Sequence, residues 1–179
     1  MPRSDTTEAP GFDVLLDNAR RTAVHLEMRD AYGVAHESAG FADWLETGTR
    51  NTDPASEYWR FWVDLVQRTV ARGVMVRRAR IVSEPLSDYA RYSLAGAPVN
   101  VAAGEELRYL PRRRASDIAL PGNDFWLIDD KVVRFNHFTG NGASAGGELT
   151  ENPAVVALCA GAFAQVWARA VPYEDYKPT

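Results

Sequence analysis

Along AVHLEMRD, residues 23–30, apolar Val24, Leu26 and Met28 alternate with His25, Glu27 and Arg29. A strand with one buried and one polar face shows this period of two, so an acid, a base and an imidazole are expected on one sheet face. VMVRRARIV behaves the same way. Val74, Val76, Arg78, Arg80 and Val82 fall on one face, and Met75, Arg77, Ala79 and Ile81 on the other. EELRYLPRR, DFWLIDD and KVVRFNHF read as three further strands, the last two joined in a hairpin at Asp129 and Asp130. GNGASAGG, rich in glycine, reads as a flexible loop.

Helical spacing appears between these strands. Trp59, Trp62, Val63, Val66 and Val70 recur at i, i+3, i+4, i+7 and i+11, one apolar stripe. Asp53 is placed to cap that helix, Pro54 to open it and Gly73 to end it. Tyr58, Phe61 and Leu65 widen the stripe, and core packing is expected for its aromatics. Shorter helices are predicted from Phe12 toward Arg20, in ESAGFADWLETG and in LSDYARYSLAG. The last helix is capped by Asn152, opened by Pro153 and stopped by Pro172, with Val156, Cys159, Phe163, Val166 and Trp167 on one face. The pattern predicts a single α/β domain over residues 11–179, with a mixed sheet of about five to six strands flanked by helices. Residues 1–10 are expected to be a disordered arm.

Composition narrows the function classes. A chain of 179 residues with 46% hydrophobic content can bury one sizeable core. Its apolar runs are broken by charges and MPRSDTTEAPG has no apolar signal region, so a cytoplasmic protein without a membrane span is expected. A lone cysteine, Cys159, allows neither a disulfide framework nor a multi-cysteine metal site, and its apolar helical setting predicts a buried, inert thiol. The net charge of −4 hides an asymmetry: between Arg72 and Arg114 there are nine Arg against four acids. Arginine used this densely suits bidentate recognition of carboxylate or phosphate.

AVHLEMRDAYG, RGVMVRRARIVSEPLSDYARY, LPGNDFWLIDDKVVRFNHFTGNG and the closing AVPYEDY together resemble an actinobacterial family of unknown function, from about Phe12 to Pro178. Members of that family are encoded near helix-turn-helix regulators, so the resemblance implies a regulatory role with such a regulator as protein partner. More remotely, the helix running through VARGVMVRRARIV into a strand, and the hairpin DFWLIDDKVVRFNHF, are similar to segments of phospholipase D-like domains. That resemblance implies a sheet sandwiched by helices and an ancestral phosphodiester pocket. Its catalytic pattern, a His with Lys two residues later, is missing: Glu27, Ser38 and Thr139 stand two places after His25, His36 and His137.

No other catalytic motif is recognisable. There is no Gly-x-Ser-x-Gly elbow and no P-loop, and His25 with Glu27 forms too sparse a set for zinc. No cofactor is expected. The charged face of AVHLEMRD admits three readings. If it adjoins VMVRRARIV, Arg78 and Arg80 are neutralised by Glu27, or by Asp124, Asp129 or Glu84, as an internal network with no vacancy for a ligand. Alternatively, His25, Glu27, Arg29, Arg78 and Arg80, with Asp124, Trp126 and His137, line a pocket of surplus positive charge for a phosphate-bearing small molecule. In the third, His25 and Glu27 act as general base and acid. The internal network is favoured. Arg112, Arg113 and Arg114 end a strand and read as a solvated edge or a contact for an acidic partner surface. A sequence pI near 5.4 argues against generic DNA binding.

Overall fold

The computed structural model describes residues 9–33 and 35–179. The arm expected over residues 1–10 lies outside the described residues as far as residue 8. Helices are α1 (Phe12–Asn18), α2 (Ser38–Thr47), α3 (Glu57–Ala71), α4 (Asp88–Ala103) and α5 (Pro153–Arg169). Strands are β1 (Thr22–Glu27), β2 (Met75–Val82), β3 (Glu106–Pro111), β4 (Phe125–Ile128), β5 (Val132–Phe138), β6 (Ser144–Thr150) and β7 (Val171–Pro172). They form one mixed sheet in the order β6-β5-β4-β1-β2-β3-β7. β1, β2 and β3 run parallel, and every other neighbouring pair is antiparallel.

Helices cover both faces. Against α5, whose Cys159, Phe163 and Val166 are buried, pack Val24, Leu26, Ala79, Ile81, Phe125 and Leu127. Burial raises the Cys159 thiol to about 11, which keeps it protonated. On the opposite face, Leu15, Leu16 and Leu65 from α1 and α3 close over Ala23, Val76 and Ile128, while α4 packs beside β3. The alternation read from β1 and β2 thus sorts their side chains between two helical layers.

Four departures from the sequence pattern have local causes. The sheet has seven strands because GNGASAGG continues into β6 and a two-residue β7 joins β3. SAGGELT has little intrinsic strand preference, and only pairing with β5 extends it. α3 begins at Glu57 after Ser56, not at Pro54; the Asp53 side chain instead accepts the N–H of Ala55 in a turn ahead of the helix. α4 runs seven residues past Gly96 and through Pro98, because burial of Ala97, Val99 and Ala103 outweighs the hydrogen bond that proline cannot donate. The stripe of α3 is split: Val63, Leu65 and Val66 are buried in the core, while Tyr58, Phe61 and Trp62 line a cavity.

The β4–β5 hairpin turns at Asp129 and Asp130, both at positive φ (53° and 56°). The Asp129 carboxylate accepts the backbone N–H groups of Arg20, Arg21 and Thr22 at 2.7–2.9 Å. Asp129 therefore anchors the start of β1 instead of pairing with the sheet arginines, and it helps set the register on which the site depends.

Candidate binding site

Strand register builds the site floor in two rows. His25 lies beside Arg78 on β2 and Trp126 on β4, and Trp126 lies beside Arg134 on β5. One step along, Glu27 lies beside Arg80, which faces Tyr109 on β3. All of these side chains share one face because each neighbouring pair stands in register and alternation does the rest.

The two sheet arginines are neutralised internally. Arg78 donates Nη1–H to Glu27 Oε1 and Nε–H to Glu105 Oε1, both at 2.6 Å, and Arg80 Nε stands 2.9 Å from Glu27 Oε2. Burial pushes the Glu27 carboxyl up, but Arg80 and Arg78 outweigh it and hold the group at about 2. Burial also drives His25 down, and the neighbouring arginines add to that against the pull of Glu27, leaving it at about 3. His25 is therefore a neutral imidazole. It stacks on Trp126 with ring centroids 4.4 Å apart, its Nδ1 3.5 Å from Glu27 and its Nε2 3.5 Å from the Asn136 amide nitrogen. With its proton on Nδ1 the ring turns that N–H to the Glu27 side without a hydrogen bond, and its Nε2 accepts from Asn136.

The expectation that this network leaves no vacancy is overturned. Above the floor, α3, α4 and the segment carrying Glu37, Arg50 and Asn51 wall a half-open cavity of about 1030 Å³. The ion network is its base, because two helices with large aromatic side chains stand off the polar rows instead of packing into them. Surplus positive charge is not found either. Glu27, Glu37, Glu57 and Asp124 face the cavity along with Arg50, Arg78, Arg80 and Arg134.

Two of those arginines have no carboxylate partner among the described residues. Arg50 is enclosed by rings, 3.7 Å over Tyr92 and 4.9 Å over Trp59, and donates to the Tyr92 carbonyl and the Tyr58 hydroxyl. A Cβ at Gly96 would lie 2.5 Å from that guanidinium, so glycine is what admits it. Arg134 is half-buried, sits 4.7 Å over the Phe12 ring and donates to the Pro10 carbonyl and to the Asn136 amide oxygen. Burial lowers its pKa.

The remaining predicted residues separate. Asp124 lines the cavity but pairs with no arginine; it accepts the Tyr32 hydroxyl and the Met28 N–H. Burial, with the Glu27 charge adding to it, raises Asp124 to about 6 against the effect of its Tyr32 hydrogen bond. Arg29 lies past the end of β1, exposed, with its guanidinium over Phe138. His137 is on the opposite sheet parity, outside the cavity lining, with Nε2 3.7 Å from Glu148. His25 and Glu27 gather no third metal-ligating group among the described residues. Glu84 meets Tyr176 and Arg113.

The basic triplet forms a 3-10 turn, not a sheet edge, since β7 covers β3. Arg112 turns inward to Ser83, Asp30 and the Met28 carbonyl, which leaves Arg113 and Arg114 exposed. Sequence reasoning missed Arg134, Asn136, Arg50 and Glu105. The alternation of Val132, Arg134 and Asn136 was a usable signal for the first two; Glu105 sits in the α4–β3 connection, where no period applies.

A family model described as Domain of unknown function (DUF6879) matches residues 10–178. No curated protein matches the chain. Among solved structures, the phospholipase D family member Nuc from Salmonella typhimurium superposes with a TM-score of 0.53 at 12% identity, covering 90% of this chain and 87% of that one. NucT from Helicobacter pylori gives 0.47 at 11% identity, with 89% and 87% covered. TrmBL2, an archaeal chromatin protein described as showing a novel mode of DNA binding, gives 0.47 at 15% identity; 89% of this chain is covered, which spans 48% of TrmBL2. The likeness to Nuc is one of fold: the chain has the phospholipase D-like sheet between helical layers that its segments resembled.

Proposed function

This chain belongs to the DUF6879 family, and we propose that it is a non-catalytic regulatory domain that binds a small organic anion in the cavity above the sheet. Arg134 carries the reading. A half-buried guanidinium without a carboxylate partner among the described residues, beside a neutral imidazole and an amide, is an unfilled anion receptor. Cavities of this size with a few convergent polar groups on aromatic walls suit small molecules. Catalysis fits less well: His25, held at about 3, is a weak base, and Glu27 is committed to two guanidinium groups. A thermal-shift screen over nucleotides, phosphoesters and carboxylates tests the proposal. A binder at 100 times its dissociation constant stabilises by about 2.7 kcal/mol, a rise of about 5–10 °C for a domain of this size. A screen flat across all three classes refutes the reading.

A second reading concerns the partner. The exposed pair Arg113 and Arg114 suits an acidic protein surface, and the family resemblance suggests a helix-turn-helix regulator. Arg113→Glu combined with Arg114→Glu is expected to abolish co-purification with a helix-turn-helix regulator. Arg113→Glu also breaks the ion pair with Glu84, whose side chain is 5% exposed, so Arg114→Glu alone is the variant expected to keep the wild-type melting temperature. Co-purification that survives the charge reversal removes the arginine pair from the interface.

A further inference from the structure

We infer that the cavity selects a planar aromatic ligand bearing one oxyanion charge, with the anion on Arg134 and the ring against Phe12, and that it rejects polyphosphates. This rests on the reading of the cavity as a ligand site and adds the ligand's charge and shape.

The charge follows from what each cavity arginine already holds. Arg78 is shared by Glu27 and Glu105, and Arg80 is matched by Glu27. Arg50 donates from each Nη to a carbonyl and a hydroxyl inside the ring cage, and its Nε, which has no hydrogen bond among the described residues, is buried there. Arg134 alone among the lining arginines meets the cavity with neither a carboxylate nor a ring cage of that kind: Nε and Nη1 are engaged, and Nη2 has no hydrogen bond among the described residues. Of its polar neighbours, Asn136 carries an amide that can donate to an anion, and the neutral His25 adds no charge. One monoanion is thereby balanced. Each further negative charge would enter a space that already contains Glu27, Glu37 and Asp124, and the other lining arginine without a carboxylate among the described residues, Arg50, is held inside its ring cage.

The shape follows from the rings around the same guanidinium. Phe12 lies under Arg134 and its ring is 6.0 Å from Trp126, which is in turn 6.0 Å from Trp62. All three rings line the cavity; Trp126 is buried, and Phe12, 38% exposed, presents the apolar ring surface beside the anion receptor.

The test measures affinity of the full chain, by calorimetry, for five probes: indole-3-carboxylate, adenosine 3′,5′-cyclic monophosphate, ATP, inorganic phosphate and indole. The ring monoanions are expected to bind about tenfold or more tightly than ATP, phosphate or neutral indole, and the order of the first two tells a carboxylate ligand from a phosphodiester. Arg134→Gln is expected to weaken the better monoanion by about tenfold or more while leaving indole unchanged. Phe12→Leu, a substitution at an exposed ring, should weaken both monoanions and leave phosphate unchanged. ATP or free phosphate binding as tightly as the ring monoanions overturns the inference and leaves the ligand-site reading standing. Undiminished monoanion binding by Arg134→Gln, with its circular dichroism intact, also overturns it. No binding of any probe at millimolar concentration removes the reading and the inference together.

Discussion

Glu27→Ala is expected to lower the unfolding free energy by about 3–5 kcal/mol, the usual effect of breaking a buried ion pair from one side. Glu27 is 9% exposed and is the single carboxylate that reaches both sheet arginines. Without it Arg78 keeps Glu105, while Arg80 loses its ion-pair partner in a site that water reaches poorly. The stranded charge, more than the lost attraction, produces the penalty. Glu27→Gln should fall short of full recovery, because an amide fills the same volume without the charge. Arg80→Met added to Glu27→Ala should restore part of the loss, since an apolar side chain then replaces the orphaned cation, and the coupling energy from the double-mutant cycle measures the pair. Equilibrium urea unfolding is the measurement. A loss below about 1 kcal/mol, typical of an exposed ion pair, would falsify the network as a structural element.

The second large effect is a pH profile in which three groups of the site oppose one another. His25 titrates at about 3 in the fold against an ordinary 6.5. As pH falls below 6.5 the unfolded chain takes up a proton that the folded one refuses, so stability drops until about pH 3; the gap is worth on the order of 5 kcal/mol. Asp124 works the other way. Its folded value of about 6 lies above the ordinary 3.8, so the fold binds the extra proton and gains stability as pH falls from 6 to 4. Glu27, held at about 2 against 4.5, contributes stability that is present above pH 4.5 and lost as pH falls toward 2.

The expected wild-type curve is a shoulder between pH 6 and 4.5, where His25 and Asp124 cancel, followed by a loss that starts as Glu27 joins below 4.5 and steepens between 4 and 3, where His25 and Glu27 act together. Asp124→Asn should turn the shoulder into a downward slope toward acid, and His25→Gln should turn it into an upward one. Slopes are the readout, so a constant offset from lost stacking on Trp126 does not matter. If His25→Gln leaves the wild-type slope between pH 6 and 4 unchanged, His25 is not held neutral by the fold.

Both experiments probe residues that alternation alone had grouped. His25 and Glu27, and likewise Arg78 and Arg80, are two apart on segments whose intervening positions are apolar, so their common face was legible without coordinates. The caps of α5, the hairpin at Asp129 and Asp130 and the parity of Arg134 with Asn136 were encoded locally as well. β6 and the extension of α4 through Pro98 were not, because pairing with β5 and burial beside β3 override weak or contrary local preferences.

Parity along a strand belongs to the backbone and can be read from a few neighbouring residues. Which face lies next to which, and how far a helical layer stands above it, is set by contacts between segments as distant as β1, α3 and β5. That is why acids and arginines meeting in pairs could be anticipated from their types, whereas Glu105 as the second partner of Arg78, Arg134 with no acid among the described residues, and a cavity over a neutralised floor required the packed fold. Charge pairing is a matter of composition within reach. The volume left over after packing belongs to the whole molecule.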